Sequence, residues 1–437
     1  MAPFGGEADD DEFQIVGRKG RAIPLRARSG LVKKDEAGLA PDIVKVAACT
    51  PLDTCGLGTK AAQPWPREER PVLSVAPMMQ WTDVHYRKLA RLLTRRTLLF
   101  TEMIPAAAIV DAFEAKDGSL GQLLAFDAEQ RPLAVQIGGS NPALMARAAG
   151  LCAKAGFDEV NLNVGCPSSK VTTGGYGACL MKSPQLVREI AVACLAACGG
   201  RNGVPVTVKH RLGVDDCDSW EDLQDFVRTV ASAGVTHFIV HARKALLGVL
   251  SCEGNRTIPP LKYDWVWALS RTFPQLTFEL NGGVDSLDEV QQLFSKGPLR
   301  GVMVGRAAYK TPWILSQADA TLFGAENPGH SREEVLDLYL DYASAYFHAQ
   351  QRAGLVSTPS AALELEQLLA APLSNLFEDE TPLFRVALLR EVAARETDDA
   401  SSRRHDSVPL PTFMLRRAAA CAAEAVAAAR AEKSQAV

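Results

Sequence analysis

The stretch Glu159-Val160-Asn161-Leu162-Asn163-Val164-Gly165-Cys166-Pro167 decides the fold. Glu159–Val164 is a short run of strand length that stops on a Gly-Cys-Pro turn. A helix-like segment, Ala143–Ala155, precedes it, and another, Pro184–Ala197, follows it. The same alternation recurs in both directions. Apolar or β-branched runs stand at Val72–Ala76, Thr97–Met103, Leu133–Ile137, Val204–His210, His237–His241, Thr277–Asn281 and Gly301–Val304. Further helix-like segments lie at Ser219–Ala233 and Leu287–Phe294. Eight strands with helical crossovers in about 250 residues predict an α/β fold, a (β/α)₈ TIM barrel. Periodicity alone also admits an open doubly wound sheet.

Outside this block the sequence changes character. Residues 1–70 mix charges, Gly and Pro without sustained periodicity, and we expect a mostly disordered extension. The barrel is expected over 71–325. From 326 to 437 the chain is Ala-, Leu- and Arg-rich with helical spacing, which predicts an all-helical domain broken by a polar loop near Thr397–Ser407.

The chain has 437 residues, 47% hydrophobic and 22% charged, as in an ordinary globular protein. Its net charge of −4 gives no global positive field, so a nucleic-acid partner would need a local basic patch. Ten cysteines without a C-x-x-C pair argue against zinc; Cys152, Cys179 and Cys421 lie among Ala and Gly, where a free thiol packs as a small hydrophobe. No apolar run reaches membrane-spanning length. We expect a reduced, cytoplasmic monomer with no membrane and no metal; the basic stretch Arg18–Lys34 is compatible with organelle import.

Active sites of such barrels form at the C-terminal ends of the strands. Those ends read Pro77-Met78-Met79, Glu102, Gln136, Asn163 with Cys166, Lys209, His241, Asn281-Gly282-Gly283 and Gly305-Arg306. The loops after strands seven and eight of a barrel commonly hold a phosphate, because glycine lets backbone N–H groups approach it. Gly282-Gly283 and Gly305-Arg306 occupy those places, with Arg306 as a charged partner. Either turn alone is an ordinary β-to-α turn; together they suggest a phosphate. Lys209 could stabilise negative charge near N1 and the C2 carbonyl of a reduced flavin, or be a snorkelling surface lysine. Gln136 offers an amide to the pyrimidine edge of such a ring, and Pro77-Met78-Met79 backbone and apolar contacts. Cys166 follows a strand, precedes Pro167 and stands before Gly174-Gly175-Tyr176-Gly177, a flexible-looking segment. A thiol with an ordinary pKa of about 8.5 is protonated at neutral pH and can act as an acid. No His/Asp companion pattern marks it as a nucleophile.

With those residues in place, the chain resembles the tRNA-dihydrouridine synthase family, most closely its A-type branch. The resemblance rests on Ser74-Val-Ala-Pro-Met-Met-Gln-Trp-Thr-Asp83, Val160-Asn-Leu-Asn-Val-Gly-Cys-Pro-Ser168, Tyr176-Gly-Ala-Cys-Leu-Met181 and Val208-Lys-His-Arg-Leu-Gly213. His241-Ala-Arg-Lys244, Asn255-Arg256, Ile258-Pro-Pro260 and Asn281-Gly-Gly283 extend it, and Leu376-Phe377 with Arg385 match more loosely. It implies FMN held by Pro77–Met79, Gln136, Lys209, His241, Asn281–Gly283, Gly305 and Arg306, with NADPH as reductant. It implies tRNA as partner, a D-loop uridine reduced at C5–C6, and Cys166 as proton donor to C5. Asn163 would then contact the target nucleotide, and Arg243, Lys244, Arg256 and Arg385 would be RNA contacts, with the helical domain gripping the tRNA. Glu253 and Glu378-Asp379-Glu380 depart toward acidity, and are expected to weaken local attraction for phosphate. Two other readings share parts of this pattern: a flavin barrel acting on a free pyrimidine, such as a dihydropyrimidine- or dihydroorotate-type oxidoreductase, and a tRNA-binding protein without catalysis.

Overall fold

The structure, a computed structural model, describes residues 14–16, 22–24, 73–381, 383–388, 419–420, 422–424, 426–428 and 430–431. Eight parallel strands pair in sequence: β1 (Leu73–Val75), β2 (Leu99–Pro105), β3 (Leu133–Gly138), β4 (Glu159–Val164), β5 (Val206–Arg211), β6 (His237–His241), β7 (Thr277–Asn281) and β8 (Gly301–Val304). β8 pairs with β1, and a parallel bridge between Ser74 and Leu98 brings β1 to the head of β2, so the sheet closes as a (β/α)₈ barrel.

Side-chain alternation builds the barrel wall. Leu133, Val135 and Ile137 on β3, Val160, Leu162 and Val164 on β4, and Val206 and Val208 on β5 belong to the main apolar cluster with the surrounding helices. The alternate positions point inward. A small apolar plug of Ala76, Leu98, Phe100, Ala134, Ile239 and Met303 fills part of that space. The remainder is polar: Ser74, Gln136, Asn161, Asn163, Thr207, Glu279 and Asn281 are all buried. Buried polar groups persist only when hydrogen-bonded, and these are; Ser74, for example, donates to Glu279.

Seven of the crossover and flanking helices position the strand ends: α1 (Val84–Leu93), α2 (Ala106–Ala115), α3 (Pro142–Ala155), α4 (Pro184–Ala197), α5 (Trp220–Ala231), α6 (Tyr263–Thr272) and α7 (Leu287–Lys296). Their starts are written locally. Asp83 caps α1 by accepting from the backbone of His85 and Tyr86, and Ser219 with Asp222 forms a capping box on α5. Pro142 opens α3, and Gly156, at φ 95°, ends it.

Several strand limits differ from the sequence reading by one or two residues, and those of β5 and β2 bear on the site. β5 begins at Val206, because Pro205 has no N–H to give the ladder, and it runs one residue further, to Arg211. β2 continues to Pro105 through a register irregularity between Phe100 and Met103, so Glu102 lies within the strand.

After the barrel come α8 (Arg332–Arg352) and α9 (Pro359–Leu373). They pack on α1: Tyr339, Tyr342 and Tyr346 gather beside His85, whose Nδ1 lies 2.9 Å from the Tyr342 hydroxyl. Arg332 lies 4.3 Å from the Trp313 ring and 5.8 Å from that of Phe377, with an ion pair to Asp379 at 2.6 Å and to Glu380 at 2.7 Å. Glu378 faces Arg385, and Glu380 also holds Arg430. The acidic run Glu378-Asp379-Glu380 is therefore a set of ion-pair partners for Arg332, Arg385 and Arg430. Of the 1–70 extension only a hairpin of Gln14–Val16 with Ala22–Pro24 is described; the polar loop expected near Thr397–Ser407 lies outside the described residues.

No helix among the described residues is long and apolar enough to cross a membrane. Cys152, Cys166, Cys179, Cys194, Cys198, Cys217 and Cys252 are free thiols.

Candidate active site

Cys166 stands on the turn that leaves β4. Asn163 shapes that turn, its Oδ1 accepting from the backbone N–H groups of Gly165 (3.1 Å) and Cys166 (3.0 Å). The next segment locks over it. Ala178 N–H donates to the Cys166 carbonyl at 2.8 Å. A Cβ on Gly177, at φ 78°, would fall 2.5 Å from that carbonyl oxygen. In the Gly174-Gly175-Tyr176-Gly177 segment Gly174 and Gly175 are exposed, Tyr176 lies over Gly138, and Gly177 makes the close approach.

The Cys166 thiol is half-buried, and burial pushes its pKa up, against the backbone of Ser168 and the charges of Arg211, Lys209 and Arg256, which pull it down. The net effect keeps the thiol protonated at neutral pH, with cations at hand to receive a thiolate.

Lys209 and His241 stand in neighbouring inward rows. Lys209 Nζ donates to Asn281 Oδ1 at 3.0 Å, and Asn281 in turn donates to the Met303 carbonyl at 2.9 Å. Burial and the adjacent Arg211 push the Lys209 pKa down to about 8. Burial, followed by Arg211, Lys209, Arg243 and Arg256, holds His241 well below the ordinary imidazole range, so its ring is neutral. The ring lies against the Gly282 turn, where a Cβ would sit 2.7 Å from His241 Cδ2. Gly282 and Gly283 both have left-handed φ values, 115° and 71°, and Tyr263 donates to the Gly282 carbonyl at 2.6 Å. Gly305 precedes the short helix Arg306–Lys310, and a Cβ there would meet only Ala76, at 3.9 Å. Pro77 and Met78 are half-buried beside β1 and Met79 is 44% exposed, an apolar lip to the barrel mouth.

Sequence reading missed Arg211. The expected run stops at His210, and the extra residue of β5 turns the Arg211 side chain inward. Nε donates to the Gly165 carbonyl at 3.0 Å and Nη1 to the carbonyls of Lys244 (3.1 Å) and Asn255 (2.8 Å). One guanidinium thus ties the Cys166 turn to both segments after β6. Period-2 counting from Thr207 and Lys209 would have found it.

The expected RNA-contacting cations divide. Arg243 donates to the carbonyls of Thr257 and Pro259, and Lys244 pairs with Asp218 at 2.7 Å, so both brace the loop after β6. Arg385 faces Glu378 at 3.4 Å. Arg256 is half-buried and contributes charge near Cys166 and His241. Glu253 is exposed. A local cluster of cations lies at this barrel mouth: burial and neighbouring arginines, Arg256 among them, lower the proton affinity of Lys209 and Arg211, and burial with Arg306 nearby lowers that of Arg243.

Such a cluster suits an anionic ligand with a flat polar ring. Crowded, partly buried cations are relieved by added negative charge, and the glycine turns leave backbone room where a side chain would collide. The residues therefore fit a phosphate-bearing flavin.

The family model for dihydrouridine synthase (Dus) matches residues 74–358. A tRNA-dihydrouridine(20/20a) synthase of Shewanella oneidensis is 47% identical over 279 residues, 64% of this chain and 79% of that protein. Those of Synechocystis and Pseudomonas putida are 48% identical over 270 residues and 44% identical over 313 residues, covering 62% and 70% of this chain and 77% and 90% of theirs. With that match spanning the whole barrel and the start of the helical tail, the chain belongs to the dihydrouridine synthase family.

Proposed function

We propose that this enzyme reduces the C5–C6 double bond of D-loop uridines in tRNA, as a 20/20a-type synthase, with FMN as cofactor and NADPH as reductant. The observation that carries the reading is the placing of the Cys166 thiol, kept protonated by burial, beside the cationic mouth formed by Lys209 and Arg211. The names of relatives at 44–48% identity support the same reaction.

When bound, FMN would supply hydride chemistry at C6 of the uracil ring, with NADPH as its reductant. The rest falls to this chain. Lys209, His241, Asn281, Gly282, Gly283, Gly305 and Arg306 would hold the flavin's anionic and carbonyl groups, with Gln136 at its pyrimidine edge and Pro77–Met79 against the ring. Cys166 gives the S–H proton to C5, forming the new C–H bond and leaving a thiolate that solvent reprotonates. Arg211, Lys209 and Arg256 stabilise that thiolate. Asn163 has one Nδ2 hydrogen beyond its internal bonds with which to meet the nucleotide. The target base must leave its stack to reach this depth. Residues 326–437 would grip the tRNA body, with Arg243, Lys244, Arg256 and Arg385 near its backbone.

The test is direct. tRNA lacking dihydrouridine is incubated with the enzyme and NADPH, and its dihydrouridines are mapped by mass spectrometry. Appearance at D-loop positions 20 and 20a is expected; reduction of free uracil or dihydroorotate chemistry without tRNA modification would overturn the assignment.

A further inference from the structure

Inside the barrel, five side chains form one unbroken hydrogen-bonded file. Thr207 Oγ1 donates to Glu159 Oε1. Asn161 Nδ2 donates to Thr207 Oγ1 at 2.8 Å, and Gln136 Nε2 to Asn161 Oδ1 at 2.8 Å. Asn163 Nδ2 donates to Gln136 Oε1 at 3.0 Å, and Asn163 Oδ1 receives the N–H groups of Gly165 and Cys166. Gln136 faces Asn161, and Asn161 faces Thr207, as register partners on adjacent strands, so the sheet itself sets the spacing. All five residues are buried.

The direction of this file is fixed from its upper end. A backbone N–H can only donate, so Asn163 must present its oxygen to Gly165 and Cys166 and its NH₂ to Gln136. Gln136 must then present its oxygen to Asn163 and its NH₂ to Asn161, and Asn161 its NH₂ to Thr207. The Thr207 hydrogen is left to point at Glu159, which must accept it. A carboxyl group at the bottom completes the sequence with no donor facing a donor. Each amide is otherwise nearly symmetric in shape, and only its neighbours decide which end is oxygen.

We propose that Glu159, Thr207 and Asn161 are positioning residues for the reaction. They complete the hydrogen-bonded file beneath Gln136, so that Asn163, whose amide is oriented by the Gly165 and Cys166 N–H groups, is held in place and the Cys166 turn is kept in a single geometry from the far end of the barrel. None of the three touches the reacting atoms. Their effect reaches the acid only through Asn163. The proposal rests on the reading of Cys166 as proton donor, but its structural half does not.

Thr207→Val keeps the shape of the side chain and removes both its bonds; Thr207→Ser keeps both bonds and removes a methyl group. Hydrogen–deuterium exchange of the peptide containing Gly165 and Cys166 is read in the ligand-free protein. Single-turnover reduction of uridine in tRNA is read in the FMN-loaded enzyme after reduction by NADPH. Thr207→Val is expected to speed exchange at Gly165 and Cys166 about tenfold, leaving the amides of β6–β8 unchanged. It is also expected to slow uridine reduction about tenfold. Thr207→Ser is expected to restore both. Unchanged exchange and turnover in Thr207→Val, or a Thr207→Ser variant no better than Thr207→Val, would overturn the proposal. If Thr207→Val does not fold, Asn161→Leu, which cuts two bonds of the file, is read by the same two measurements against Thr207→Ser. Normal turnover in Cys166→Ala would remove the acid assignment while leaving the exchange result standing, so the two failures are distinguishable.

Discussion

Arg211 Nε donates to the Gly165 carbonyl at 3.0 Å, one residue before the thiol of Cys166. The same guanidinium binds two carbonyls in the segments after β6, so the turn that carries the thiol and the loop that carries Arg243 and Lys244 are fastened by one side chain. Arg211→Met is expected to cost about 3 kcal/mol of stability, because one buried and two partly buried carbonyls lose a charged partner. It should also push the Cys166 pKa further up, since a neighbouring cation is lost. Urea unfolding and the pH dependence of Cys166 alkylation, followed by peptide mass spectrometry, check both effects; unchanged alkylation would show that the arginine does not act on the thiol.

Cys166→Ala is expected to retain FMN and its reduction by NADPH, while uridine reduction in tRNA falls by about 10²–10⁴-fold, the range of a lost general acid. Stopped-flow absorbance separates the two half-reactions.

Lys209, with a pKa of about 8, gives FMN binding a pH dependence of known sign. A protonated lysine attracts the anionic ligand, so affinity should be full at pH 7 and decline as pH rises through 8. Lys209→Met should bind more weakly and lose that decline. In the ligand-free protein the folded pKa lies below the unfolded value of 10.5, so the unfolded chain binds more protons between pH 8 and 10.5. This group's contribution therefore makes folding more favourable as pH rises across that interval. Fluorescence titration of FMN from pH 6.5 to 9.5 reads the binding effect.

Glu102 behaves in the opposite sense. Burial, with Asp83 nearby, raises its pKa to about 7, although the Gln80 N–H donates to its carboxylate. Folded and unfolded chains hold the proton equally below pH 4.5, and the folded chain holds it longer between 4.5 and 7. Stability from this group should thus fall over that interval and stay low above it. Glu102→Gln, which can still accept from Gln80, should flatten the slope of urea midpoint against pH between 5 and 8.

Gly177→Ala should destabilise the enzyme by about 1–3 kcal/mol, because an L residue is strained at its φ of 78°. The added Cβ also meets the Cys166 carbonyl oxygen. Thermal unfolding measures the loss, and an unchanged Tm would show that the turn relaxes freely.

The eight strands were legible because a barrel strand buries its outward face against helices, which gives short apolar runs separated by amphipathic ones. The strand-end motifs were legible because the fold collects strand ends at one mouth, so Gln136, Cys166, Lys209, His241 and Asn281 could be read in order. Arg211 was not, because the apolar run stops before it and only its pairing with His241 on the neighbouring strand carries β5 that far. Nor could the sequence say that Glu378-Asp379-Glu380 would be consumed by Arg332, Arg385 and Arg430, since those partners are up to about 50 positions apart.

The sequence by itself determined the succession of strands and helices and the chemical types at the mouth, because both depend on local periodicity and on turn residues. Only the tertiary structure decided the states of those groups. Burial among other cations holds His241 neutral and makes Lys209 a weaker base, and burial raises the Cys166 pKa above its ordinary value. The register of β3, β4 and β5 alone aligns Gln136, Asn161 and Thr207 into one file. Desolvation and register are properties of neighbours in space, and a chain read in order does not contain them.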